Sequence, residues 1–286
     1  MKMFPKDYML VKECGVMRIL IIGCGSIGSV LAKTVHEISE VDRIYITDQK
    51  KDFAVHLMDS LNKTSFIDLS EMDDVLAEVD LVVEAASQDA AKKYIPQILK
   101  NGTDVMMMSV GAFSDESFKD ECFELAKNNN ARIYIPSGAV CGTDGIHAAS
   151  SGMFDEVRLI TTKGPKSLKG APGITESKIN LDALTEPTVV FDGAAKDAVD
   201  KFPKNINVAA TISLLGVGFE DTRVTIICDP NTSKNSHVLI AKGNFGEMRC
   251  EVNNVPSPMN PATSYLAALS AASSIKRILG NVWIGI

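Results

Sequence analysis

The chain has 286 residues, 45% hydrophobic and 23% charged, the composition of a globular protein with one large domain or two smaller ones. Its 29 basic and 36 acidic side chains leave a net charge of −7, which disfavours nucleic acid or an anionic membrane as a partner. No apolar run approaches the roughly 18–20 residues of a membrane-spanning helix, so neither a membrane nor a nucleic acid is expected as partner and a cytoplasmic setting is the default.

Residues 1–16 carry charges throughout and lack the apolar centre of a signal peptide, so they read as an N-terminal extension ahead of Met17. Arg18-Ile19-Leu20-Ile21-Ile22 then reads as a buried strand, and Gly23-Cys24-Gly25-Ser26-Ile27-Gly28 follows without a gap. Ile27, Val30, Leu31, Thr34, Val35 and Ile38 recur at helical spacing, and Ile44-Tyr45-Ile46-Thr47 leads into Asp48. Strand, glycine turn, helix, strand and acid together form a dinucleotide-binding pattern. Gly23 permits the tight turn, Gly25 lets backbone approach a pyrophosphate, and Gly28 lets the helix pack on the strand. The N–H groups of Ser26 and Ile27 open the helix toward the phosphates. Asp48, twenty residues past Gly28, is placed to accept from the adenosine ribose hydroxyls. An acid here repels a 2′-phosphate and favours NAD, while Lys50 and Lys51 leave NADP tolerated.

Alternation of strand and helix continues. Strands are predicted at 79–86, 104–109 and 131–136, with helices at 89–99 and 114–128. That order predicts a Rossmann-type doubly wound parallel sheet over residues 17–139. Its strand exits place Ala85 and Ala86, Ser109, and Ala139 on one rim beside Gly25, where ligands of such sheets collect.

From residue 140 to 258 the pattern becomes strand-rich. Strands are predicted at 156–163, 188–191, 223–228, 237–243 and 247–252, with helices at 194–202 and 207–215 and a polar loop over 164–177. This predicts a second α+β domain with a mainly antiparallel sheet, one face of which is open to a second copy. Residues 259–286 read as a C-terminal helix returning to the first domain. Asn260 is its expected N-cap, Pro261 its first helical residue, and Tyr265, Leu269, Ala272, Ile275 and Leu279 its buried stripe.

The six cysteines include no C-x-x-C pair and the four histidines lack ligand spacing, so reduced thiols and no metal site are expected. His36 and His56 are expected on the surface of the first domain. His147 lies just beyond the rim. His237 opens a strand, where it is either an acid–base group or a strand-end residue facing solvent. Asn207 begins a helix, where it caps the helix, meets a ligand, or does both.

Several segments resemble L-aspartate dehydrogenases: Lys201 to Thr211 (KFPKNINVAAT), His237 with Gly243-Asn244-Phe245-Gly246, Asn260-Pro261 with Thr263-Ser264, Ser137-Gly138-Ala139, Glu84 to Gln88, and Ser109 to Phe113. The resemblance spans essentially Met17 to Leu279. It implies oxidation of L-aspartate with NAD or NADP to iminoaspartate, which hydrolyses to oxaloacetate and ammonia or feeds quinolinate and NAD synthesis. A functional link to quinolinate synthase follows from the second route. The resemblance also implies His237 as the acid–base residue, Ala139 and Asn207 as cofactor contacts, a homodimer, and a fold shared with homoserine dehydrogenase and dihydrodipicolinate reductase. A related oxidoreductase acting on another amino acid or a cyclic imine, and a non-catalytic nucleotide-sensing dimer, are the competing readings. Lys163, Lys166 and Lys204 are candidates for the substrate carboxylates. Where the family commonly has lysine, this chain has Ala262, read as a harmless first-turn change.

Overall fold

The first strand, β1 (Met17–Ile22), sends Ile19 and Ile21 to one side and Leu20 and Ile22 to the other, and all four are at most 3% exposed. A strand apolar on both faces belongs inside a parallel sheet covered by helices twice over. In this computed structural model, which describes residues 16–203, 206–257 and 260–284, that is its position. β2 (Val41–Thr47), β3 (Thr64–Phe66), β4 (Leu81–Glu84), β5 (Asp104–Met107) and β6 (Ile133–Tyr134) join it in the order β3-β2-β1-β4-β5-β6, every pair parallel.

Helices α1 (Ser26–His36), α2 (Lys51–Met58), α3 (Met72–Leu76), α4 (Gln88–Lys100) and α5 (Glu116–Asn128) connect these strands. Leu31 and Val35 of α1 pack with Ile19, Ile21, Ile44 and Val83 on one face. Ile95, Ile98 and Leu99 of α4, with Phe113 and Phe118, pack on Leu20 and Val82 on the other. Each such buried side chain contributes about 1.5–3 kcal/mol. Chain order reverses between β1 and β4, so the crevice beyond their carboxyl ends is the switch point of the sheet.

The second sheet holds β7 (Phe154–Lys163), β8 (Thr188–Ala194), β9 (Arg223–Cys228), β10 (Asn235–Gly243) and β11 (Gly246–Asn254) in the order β11-β10-β7-β9-β8. It is antiparallel except for the β7–β9 pair. Strict alternation along β7 turns Val157, Leu159, Thr161 and Lys163 inward. Around it lie α6 (Thr143–Ala149), α7 (Pro165–Leu168), α8 (Pro172–Ser177), α9 (Ala195–Lys201), α10 (Asn207–Leu215) and α11 (Gly218–Asp221). A small antiparallel pair, β12 (Pro256–Ser257) and β13 (Asn260–Ser264), then leads into α12 (Tyr265–Leu279), which packs against α1. The fold is thus the expected Rossmann-type sheet plus an α+β unit.

Several local expectations change. The last helix begins at Tyr265 with Ser264 at its N-cap, because Asn260 and Pro261 are held in the β12–β13 pair. Position 262 is therefore not in a first helical turn, and its side chain lies outside the described residues. The buried stripe of α12 is Ala268, Ala271, Ala272, Ile275 and Leu279, while Tyr265 and Leu269 are 38% and 39% exposed. Alanines occupy the seam against α1, and the two bulky residues flank it. The polar loop after β7 forms α7 and α8, each with proline at its first turn, where the missing N–H is no loss. Residues 131–136 shorten to the two-residue β6, and a 3-10 turn over Val110–Ser114 precedes α5. Cys14, Lys204 and the extension up to residue 15 lie outside the described residues.

Candidate active site

Three glycines of the first turn meet three different demands. Gly23 has φ +100°, and a Cβ there would lie 2.7 Å from the Ala85 carbonyl oxygen. A Cβ on Gly28 would come within 1.8 Å of the Gly23 carbonyl oxygen, so only glycine lets α1 sit this close to the turn. Gly25 has nothing within 4 Å of its Cβ position and forms the N-cap of α1 without any side-chain cap. The turn therefore offers open space against uncapped helix N–H groups, which fits the pyrophosphate of a dinucleotide.

Asp48 follows the end of β2 and accepts from the Cys24 N–H through Oδ2 and from the Lys50 N–H through Oδ1, both at 2.7 Å. These bonds fix the carboxylate beside the glycine turn and leave acceptor sites on each oxygen for hydroxyls. Burial, with Asp48 adding to it, pushes the Cys24 thiol up to about 12, so this cysteine is inert packing.

The other strand exits are organised by a residue that the sequence did not single out. Glu84 is fully buried at the end of β4, where its carboxylate accepts from the N–H groups of Ala86 and Ser87 and from both the N–H and hydroxyl of Ser109. Burial drives its pKa upward against those four bonds. Ser109, expected at the cofactor, thus commits both donors to Glu84, tying the exit of β5 to that of β4. Its sequence signals were an acid closing an otherwise apolar strand and its place in the resembling segment Glu84 to Gln88, neither of which shows this role.

The second sheet closes the crevice from above. Asn207 is the first residue of α10, with Ile206 at the N-cap, so the helix-capping reading of its side chain is not what the fold uses. Its Oδ1 instead accepts from the Gly111 N–H at 3.1 Å, joining α10 to the turn after β5. Asn254, buried at the end of β11, donates through Nδ2 to the Ala139 carbonyl at 2.9 Å. The hydroxyls of Ser26 and Ser257 share a hydrogen bond of 2.6 Å.

A pocket between the two sheets is lined by Ile27, Met107, Met108, Ala139, Asn207 and Thr211 and by two buried titratable groups, Lys163 and His237. His237 is the third residue of β10 and only 2% exposed, which removes the solvent-facing alternative. It stands opposite Thr161, with Nδ1 2.9 Å from the threonine hydroxyl. Burial, and then the neighbouring Lys163 charge, depress its pKa to about 3. Burial depresses Lys163 to about 8. His56 and His147 are exposed, His36 is half-buried, and Lys166 is exposed. Among the described residues no three His, Cys, Asp or Glu side chains gather as a metal site, and no helix is long and apolar enough to cross a membrane.

A glycine-turn parallel sheet, facing a pocket that a second sheet closes with a buried neutral imidazole, defines a two-domain nicotinamide-dinucleotide-dependent dehydrogenase. The family described as homoserine dehydrogenase, NAD binding domain, matches residues 23–136, and that described as aspartate dehydrogenase, C-terminal, matches residues 144–278. The chain is 46% identical over 271 residues to the L-aspartate dehydrogenase of Methanosarcina acetivorans, covering 94% of this chain and all of that one. It is 43% identical to that of Nitrosopumilus maritimus, covering 91% and 96%. The crystal structure of aspartate dehydrogenase from Thermotoga maritima superposes with a TM-score of 0.74 at 33% identity, covering 94% of this chain and 99% of that one. A hyperthermophilic archaeal homoserine dehydrogenase shares the fold alone, at 14% identity and a TM-score of 0.54. This chain belongs to the aspartate dehydrogenase family.

Proposed function

We propose that the pocket between the sheets oxidises L-aspartate at C2 to iminoaspartate. The observation that carries this reading is the buried, neutral His237 held by Thr161 at the pocket wall, in a chain of this family. Before C2 can lose its hydrogen with the bonding electron pair, the substrate ammonium must give up a proton, so that the nitrogen lone pair can form the C=N bond. When bound, the nicotinamide dinucleotide supplies the acceptor for that hydride. His237 takes the ammonium proton. Without substrate it is a weak base, and the negative carboxylates of the substrate raise its pKa, so proton transfer is coupled to binding. Asn207 holds the second unit in register against the first through Gly111. Water added to the imine carbon gives oxaloacetate and ammonia, and His237, once it has passed the first proton to solvent, serves again as the base that activates this water. Imine that leaves unhydrolysed feeds quinolinate synthesis, through a quinolinate synthase as partner.

Gly23, Gly25, Ser26, Ile27, Gly28, Asp48, Ala85, Ala86, Ser109, Ala139 and Asn207 are assigned to the cofactor side. NAD is preferred, because Asp48 opposes a 2′-phosphate while Lys51 is engaged by Asp68 at 3.1 Å. NADP is tolerated. The outward face of the second sheet, with Ile160, Val238 and Ile240 among paired charges of Glu156, Arg158 and Lys242, supports a homodimer. A cytoplasmic setting accords with the reduced state of Cys24, Cys122, Cys141, Cys228 and Cys250. The test is formation of reduced cofactor on adding L-aspartate with NAD or NADP. His237→Ala is expected to lose most turnover and keep cofactor affinity; undiminished turnover removes the proton-transfer role.

A further inference from the structure

Lys163 ends β7, is 4% exposed, and lies on the inward face where Val157 and Leu159 supply apolar side chains. A lysine there is expensive to desolvate and gives the core little that a leucine would not. It is the one formally cationic side chain among the described residues of the pocket lining; the other members are apolar or neutral. Strand alternation puts it on the same face as Thr161, two residues earlier and about 7 Å away along the strand, and Thr161 is the residue opposite His237.

This inference rests on the reading of the site as an L-aspartate oxidation centre. If His237 serves the amine at C2, Lys163 stands beyond it along the pocket wall. An α-carboxylate is common to every amino acid, and neutral N–H donors can hold it. The side-chain carboxylate is what distinguishes aspartate, and in a water-poor pocket it requires an opposite charge. His237 is neutral, and the Asn207 amide carries no charge, so neither supplies that opposite charge.

We propose that Lys163 anchors the side-chain carboxylate of the substrate and thereby selects an acidic amino acid over its neutral isosteres. Burial lowers the pKa of its ammonium to about 8, and an arriving carboxylate restores full protonation. Substrate binding and lysine charge therefore reinforce one another.

Titration of L-aspartate and L-asparagine into the complex with reduced cofactor, where no turnover occurs, tests this by calorimetry on the wild type and Lys163→Met. Lys163→Met is expected to weaken L-aspartate about 100-fold, to change L-asparagine by less than about 3-fold, and to leave affinity for reduced cofactor alone unchanged. Equal losses for both amino acids, retention of wild-type L-aspartate affinity, or a wild type that does not prefer L-aspartate would each overturn it. Lysine-dependent L-aspartate binding without oxidation in the turnover assay would instead overturn the functional reading and leave the subsite standing.

Discussion

His237 and Thr161 face each other across β10 and β7, with Nδ1 of the imidazole 2.9 Å from the threonine hydroxyl. This bond orients the ring and occupies one nitrogen, so the other is available to the pocket. Thr161→Val keeps shape and volume and removes the hydroxyl. The expected result is a fall in kcat of about 10-fold, in line with the loss of one buried hydrogen bond, with cofactor affinity unchanged. Steady-state kinetics with a fluorescence titration of reduced cofactor check both halves.

The same histidine makes folding sensitive to acid. Its folded-state pKa is depressed to about 3 from 6.5, so the neutral ring is the form that the fold accepts. Its contribution is complete above the ordinary value and is lost as pH falls from there toward the folded value, the reverse of a histidine that gains an acidic partner. Between about pH 8 and about pH 5 the wild type should lose roughly 2 kcal/mol that His237→Asn does not lose. Urea denaturation of both proteins at the two pH values measures the difference, and parallel losses would refute the assignment.

Asn207 accepts from Gly111 between the two units, and Gly111 is buried beside Ala112 and Phe113. Asn207→Ala leaves the Gly111 N–H without that acceptor, which destabilises by about 1–3 kcal/mol. A lowered denaturation midpoint together with weaker cofactor binding is expected. Loss of one without the other would show that the bond does not couple the units.

Asp48 is held by two backbone N–H groups at the end of the glycine turn. Asp48→Ser removes the charge that opposes a 2′-phosphate, and the ratio of kcat/KM for NAD over NADP should fall by about 10-fold or more. An unchanged ratio would place cofactor choice elsewhere.

The nucleotide half was legible because its physics is local. Ile19 to Ile22 are apolar on both faces, Gly23 and Gly28 sit where any Cβ would strike backbone, and Asp48 follows at the spacing that a βαβ unit dictates. The start of α12 was misread because Asn260-Pro261 carries a helix-start signal that the pairing with Pro256 and Ser257 overrides. Glu84 was noted only as the head of a resembling segment and Asn254 not at all, because a lone polar residue in a strand acquires its role only from distant partners, here Ser109 and Ala139. His237 was singled out by family resemblance. Its burial, its pairing with Thr161 and its nearness to Lys163 follow from the register of β7 against β10, which no local pattern encodes.

The central claim is that this pocket moves hydride from C2 of L-aspartate. The most direct measurement uses L-aspartate deuterated at C2 with NAD as acceptor, followed by mass spectrometry of the reduced cofactor. The account predicts one deuterium in the nicotinamide ring and a slowed single turnover. Failure to form reduced cofactor, or its formation without deuterium, would contradict it.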